Sequence, residues 1–98
     1  MIEYLYNAIV ASAETDIEIV AKVTSAEGAP INSNCNLVLY DNDGAEKYIV
    51  NGETVDTNGY WRFVIPADET RGKKNSRLFY CIREGNKPLC FKEPVYLM

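Results

Sequence analysis

Thr54-Val55-Asp56-Thr57-Asn58-Gly59-Tyr60-Trp61-Arg62-Phe63-Val64-Ile65-Pro66 is a turn followed by a strand. Asp-Thr-Asn-Gly is turn chemistry: short polar side chains that bond their own backbone, closed by a glycine. The six residues after it alternate, so Trp61, Phe63 and Ile65 fall on one face and Tyr60, Arg62 and Val64 on the other. Pro66 then ends the strand, because it has no N–H to give to a ladder. A strand launched by a tight turn, with one large apolar face, must lay that face against a second layer.

The same grammar repeats outward along the chain. Ile17, Ile19, Ala21 and Val23 alternate with Glu18, Val20, Lys22 and Thr24, as in a strand buried on one side. Asn36–Tyr40 is a short apolar strand stopped by Asp41-Asn42-Asp43-Gly44. Tyr48–Val55 is the next strand, with Asn51-Gly52 placed to kink or divide it. Ile2–Val10 also reads as a strand, while Ala8–Glu14 has the composition of a helical turn too short to stand alone in water. About seven strands at 8–12-residue spacing predict an all-β fold: a single antiparallel Greek-key β-sandwich spanning residues 1–98.

The C-terminal hairpin fixes its own register. Taking Gly85-Asn86 as a two-residue loop of type II′ sets Glu84 opposite Lys87, Ile82 opposite Leu89, Cys81 opposite Cys90 and Tyr80 opposite Phe91. Alternation then assigns Tyr80, Ile82, Leu89 and Phe91 to the core face and both cysteines to the other. Cys81 and Cys90 are thus placed within reach of a disulfide, the alternative being two reduced, small apolar side chains. Three cysteines (Cys35 is the third) do not make the even set of a secreted disulfide scaffold, and no C-x-x-C spacing marks a zinc site.

Composition narrows the chemistry. The 98 residues include no histidine, which removes Ser-His-Asp and Cys-His catalysis and the commonest metal ligand. Fourteen acidic against ten basic residues give a net charge of −4, a poor match to a nucleic-acid backbone. No apolar run approaches the ~20 residues of a membrane span, and Met1–Tyr6 lacks the basic and apolar regions of a secretory signal. The chain is therefore expected to be soluble, without cofactor, membrane or nucleic acid, and not an enzyme. Asp41-Asn42-Asp43-Gly44 superficially matches the start of a calcium loop, but position 12 would be Gly52 instead of a glutamate. A looser set of Asp41, Asp43 and Asp56 competes with the simpler reading of solvated turns.

Two features could contact a partner. Arg71, Lys73, Lys74 and Arg77 crowd four of the ten basic residues into one inter-strand loop, suited to an acidic neighbour or simply to solvent. Seven tyrosines, among them Tyr60 and Tyr48, suit sheet surfaces and also contact sites for a sugar or protein. Apolar residues at both ends, Met1-Ile2 and Pro94-Val95-Tyr96-Leu97-Met98, imply ends packed on this domain or on a neighbour.

Gly28-Ala29-Pro30-Ile31, then Leu37-Val38-Leu39-Tyr40, then the turn and strand Thr54–Pro66 resemble the pattern of transthyretin-like and bacterial immunoglobulin-like sandwiches. There a Gly-x-Pro segment precedes a strand, and a Thr-Asp-x-x-Gly turn launches an aromatic strand ending in proline. The likeness spans roughly residues 17 to 66. The whole chain is also similar to small accessory proteins of tailed bacteriophages, in the style of its ending from Phe79 to Asn86 and through Pro94-Val95-Tyr96. That resemblance implies a structural subunit of the virion, assembled in the host cytoplasm. It would decorate a capsid or tail by docking on a coat or tail protein or on like subunits, or attach weakly to a host glycan, with no catalytic residues. The alternative is a surface-recognition module that binds carbohydrate or protein through exposed tyrosines.

Overall fold

In the computed structural model, residues 9–25, 27–31, 34–89 and 92–98 are described. The strands are β1 (Ile9–Ala11), β2 (Ile17–Lys22), β3 (Cys35–Tyr40), β4 (Glu46–Asn51), β5 (Glu53–Thr54), β6 (Tyr60–Ile65), β7 (Arg77–Glu84), β8 (Lys87–Pro88) and β9 (Glu93–Leu97). They form two sheets of an all-β sandwich: β1-β9-β7-β3-β4, with β8 hairpinned onto β7, and β2-β6-β5.

The alternation read from sequence sets which side chains meet between the sheets. Ile17, Ile19 and Ala21 of β2 lie in register with Ile65, Phe63 and Trp61 of β6, and all six are buried. Facing them are Cys35, Leu37 and Leu39 of β3, Leu78, Tyr80 and Ile82 of β7, and Val95 and Leu97 of β9, all in the same cluster. Val95 and Leu97 of the apolar C-terminal segment are therefore packed inside this domain, while Tyr96 and Met98 are exposed. The indole N–H of Trp61 donates to the Ile31 carbonyl at 2.7 Å, which fixes the connection after β2 against β6.

Turn chemistry behaves as its residues dictate. The Asp56 carboxylate accepts the Asn58 N–H at 2.8 Å, and Val55 N–H donates to the Tyr60 carbonyl at 2.9 Å, closing the turn before β6. Gly59 has φ +89°, and a Cβ there would lie 2.7 Å from the Val23 carbonyl oxygen. At the C-terminal hairpin Glu84 pairs with Lys87, and Leu89 N–H donates to the Ile82 carbonyl at 2.9 Å. Gly85 has φ +58°, while Asn86 is not among the residues with positive φ, as a type II′ turn requires.

Three expectations need correction. The sandwich is not wholly antiparallel, because β1 runs parallel to β9 (Ile9 opposite Val95, Ala11 opposite Leu97). No short turn joins these two strands, so nothing local forces them antiparallel. β1 also occupies the stretch whose composition allowed a helical turn, because pairing on β9 satisfies its backbone; the expected strand over 2–8 lies outside the described residues. The segment Tyr48–Val55 is divided at Gly52, one of the two outcomes expected of Asn51-Gly52, and its two strands belong to different sheets. The chain crosses at Gly52, where a Cβ would come within 2.6 Å of Phe63 Cε1, 2.8 Å of Trp61 Cε3 and 3.1 Å of the Cys35 oxygen. Finally, Tyr80 pairs with Glu93, and the register moves by two residues between the Arg83–Pro88 and Tyr80–Glu93 pairs; Phe91, the expected partner, lies outside the described residues. Two prolines, Pro88 and Pro94, withhold ladder donors on either side of that shift.

Candidate functional site

The sandwich separates the residues that sequence brought forward. Tyr48 packs half-buried against the core from β4, whereas Tyr60 projects from the outward face of the smaller sheet. Lys22 lies over the Tyr60 ring at 5.9 Å from its centroid. The two tyrosines therefore share no surface. Tyr60 also sits at the end of β6 remote from the basic loop, which follows Ile65 and Pro66.

The basic loop is built rather than free. Thr70, 1% exposed, accepts the Glu14 N–H on its Oγ1 at 2.7 Å and donates to the Ala67 carbonyl at 3.3 Å. Asp16 accepts the Ala67 N–H at 2.9 Å, and Leu97 N–H donates to the Ser76 carbonyl at 2.9 Å. On this frame the four cations diverge. Arg71 pairs with Asp68, Lys74 points to solvent, and Lys73 and Arg77 line a cleft of about 330 Å³ with Asp41, Asn42 and Asp43. The acidic β3–β4 turn and part of the basic loop are thus neighbours at one end of the molecule.

That acidic turn is closed on itself: Gly44 N–H donates to the Asp41 carbonyl at 2.9 Å and Ala45 N–H to the Asp43 carboxylate at 3.2 Å. Asp56 lies at the opposite end, beyond Gly52 and β5. Among the described residues no group of three His, Cys, Asp or Glu side chains is placed to hold a metal ion.

Of the three cysteines, Cys35 faces the core and its thiol is pushed up to about 11, by burial first and by the Glu84 carboxylate second. Cys81 is buried on the outward side of β7, as alternation requires, and its Sγ lies 3.5 Å from the Ile82 carbonyl oxygen it donates to. Cys90, the other half of the expected pair, lies outside the described residues.

The surface that gathers functional character is one that sequence reasoning did not assemble: the outward face of β1-β9-β7-β3-β4. With Leu78, Tyr80 and Ile82 in the core, alternation turns Arg77, Phe79, Cys81 and Arg83 outward. Across the strands these residues form rows. Val10 lies opposite Tyr96 and Tyr96 opposite Arg77; Pro94, Phe79 and Tyr40 follow; then Cys81, Val38 and Ile49; then Arg83, Asn36 and Asn51. Cations lie on its rings: Lys92 Nζ is 4.1 Å from the Tyr40 centroid and Arg77 Cζ 5.1 Å from that of Phe79. Arg83 Nε donates to Asn36 Oδ1 at 3.3 Å, and Asn36 Nδ2 donates to the Gly85 carbonyl at 3.0 Å.

The opposite face of the molecule has a different character. On the smaller sheet Arg62 stands between Glu53 at 2.8 Å and Glu18 at 3.7 Å, so its charges are largely matched at home. On the larger sheet Glu46, beside Lys47 at the bulge on the margin, is the sole carboxylate in register with the outward rows among the described residues. The signal for this face was present in sequence as the parity of β7, but the outward residues of four other strands join it only through tertiary pairing. No family model matches this chain, and comparison with curated proteins and with solved structures likewise finds no match.

Proposed function

We propose that this chain is a non-enzymatic structural accessory subunit that docks on a larger protein assembly. The observation that carries this reading is apolar exposure on the outward face of the larger sheet, greater per side chain than that of Val20 (40%) and Val64 (38%) on the smaller sheet. Val10 is 62% exposed, Ile49 49% and Tyr96 42%, all on the outward face of the larger sheet, and Met98 at its end is 57% exposed. Scattered apolar side chains on a surface are ordinary; several on one face with aromatic and arginine neighbours are the composition of a contact site. The tailed-phage particle, assembled in the host cytoplasm, is the setting that the sequence resemblance brings forward. The strand order supports an immunoglobulin-like Greek-key reading of the topology, since the chain passes between the two sheets several times and the first described strand lies beside the last.

Quantitative peptide mass spectrometry on density-purified particles from the source culture tests this. The expected result is a fixed copy number per particle, tens to hundreds for a head subunit and a handful for a tail subunit. Complete absence from the particles, with the chain present in the host cells, would overturn the virion reading.

A further inference from the structure

We infer that Asn58 is a site of self-modification in the folded chain. The Gly59 backbone nitrogen closes on the Asn58 side-chain amide, ammonia leaves, and water opens the resulting succinimide to an aspartyl or isoaspartyl residue. The inference is independent of the docking-subunit reading, since the step needs neither partner nor cofactor. In bonds, the Gly59 N–H gives its proton to solvent base, a bond forms from that nitrogen to Asn58 Cγ, and the Cγ–Nδ2 bond breaks. Hydrolysis at Cγ restores the ordinary backbone as aspartate. Hydrolysis at the backbone carbonyl routes the chain through Cβ and Cγ as isoaspartate. Nothing is oxidised or reduced, and a chain of net charge −4 gains one further negative charge.

The sequence offers two Asn-Gly pairs, Asn51-Gly52 and Asn58-Gly59, where the following nitrogen is not screened by a side chain. Both asparagines are exposed, so exposure does not choose between them. The backbone does. Gly52 N–H donates to the Cys35 carbonyl at 3.0 Å, and its Cα is hemmed in by Phe63 and Trp61. That peptide can turn toward Asn51 Cγ only after the ladder end opens. At the other pair, among the described residues, neither the Gly59 N–H, the Asn58 carbonyl nor the Asn58 side-chain amide makes a hydrogen bond. The anchors lie on either side of this peptide. The Asp56 carboxylate holds the Asn58 N–H at 2.8 Å, and the Gly59 carbonyl accepts the Val23 N–H at 2.7 Å. Gly59 itself is buried, with its Cα against Pro30 and the Val23 carbonyl. An isoaspartate adds one backbone carbon, about 1.5 Å, between those two anchors. The product therefore pulls on the Val23 tie, which joins the turn before β6 to the connection after β2.

Peptide mapping of the intact chain, aged at mildly alkaline and at mildly acidic pH, tests the assignment. Trypsin cuts after Lys47 and Arg62, so one peptide carries both Asn-Gly pairs and fragmentation assigns each conversion. The folded chain should convert Asn58 about tenfold or more faster than Asn51, where a hydrogen bond must open first. Conversion should be faster at the alkaline pH, because the attacking nitrogen must lose its proton. In guanidinium chloride the two rates should converge. Asn58→Gln, whose longer side chain would have to close a larger ring, should not develop the acidic form on ion exchange. The isoaspartyl fraction should melt about 4–8 °C below the parent, the shift that one lost hydrogen bond produces in a domain of this size. Equal conversion of Asn51 and Asn58 in the folded chain, conversion of Asn58 only in guanidinium chloride, or conversion at neither position would each overturn the proposal.

Discussion

Gly52→Ala is the sharpest perturbation of this fold, because the whole cost comes from one methyl group. That methyl would sit 2.6 Å from Phe63 Cε1, 2.8 Å from Trp61 Cε3 and 3.1 Å from the Cys35 carbonyl oxygen. None of the three can retreat easily. Phe63 is fully buried, Trp61 is held through its N–H to Ile31, and the Cys35 oxygen already accepts the Gly52 N–H at 3.0 Å. Overpacking a dense core costs about 1–3 kcal/mol, and with two rings and a backbone oxygen involved we expect about 2 kcal/mol. For a domain of this size that lowers the melting temperature by about 8–16 °C. Urea titration followed by Trp61 fluorescence gives the free energy, and a thermal melt by circular dichroism gives the temperature. Phe63→Leu removes the nearest ring atom, so it should cost less in the Gly52→Ala background than in the parent chain, a coupling that a double-mutant cycle reads directly. A Gly52→Ala variant within 0.5 kcal/mol of the parent, a limit set by the additivity error of such measurements at roughly 0.3–0.5 kcal/mol, would refute the close crossing.

Further expectations follow from single contacts. Thr70→Val removes the hydroxyl that accepts the Glu14 N–H at 2.7 Å and should cost about 1–2 kcal/mol in urea midpoint analysis, with Thr70→Ser recovering most of it. Trp61→Phe strips the donor from the Ile31 carbonyl and should cost about 1–3 kcal/mol by circular dichroism melts, whereas Arg62→Ala, on an exposed ion pair, should stay within about 1 kcal/mol. Cys35 is held as a thiol up to about 11 against an ordinary value of 9.0, so the folded chain keeps its proton more tightly than the unfolded chain. Stability should therefore decline as pH rises between about 9 and 11 and show no contribution from this group below that window. Cys35→Ala should flatten that decline, whatever its constant cost, when urea midpoints are compared at pH 8, 9.5 and 10.5.

The strands around the core were legible because each carries a period of two. Trp61, Phe63 and Ile65, like Ile17, Ile19 and Ala21, are buried where alternation puts them. The hairpin at Gly85-Asn86 was legible for a different reason: a two-residue loop leaves one register available near the turn. That register did not extend to Tyr80, which pairs with Glu93, because two prolines interrupt the ladder and nothing local announces a shift of two residues. The split at Gly52 was visible as a kink, but its consequence, a change of sheet, depends on Phe63 and Trp61 arriving from another strand.

The site was legible only in part. Sequence drew attention to clustered charges and to tyrosine counts, and the fold disperses both, sending Tyr48 to the core, Tyr60 to the smaller sheet and Arg71 to Asp68. Of the basic cluster, Arg77 alone joins the outward face of the larger sheet, where it lies over Phe79. Lys92 reaches Tyr40 across 52 positions of sequence, and Arg83 reaches Asn36 across 47. Contacts at that separation follow from strand order, and no window along the chain contains them.

Carbene footprinting of purified particles against the isolated chain reads side-chain exposure on both sheets at once. A subunit docked by the larger sheet should lose labelling at Val10, Ile49 and Tyr96 in the particle while Val20 and Val64 keep theirs. Protection of Val20 and Val64, with the larger sheet labelled as in the isolated chain, would contradict it.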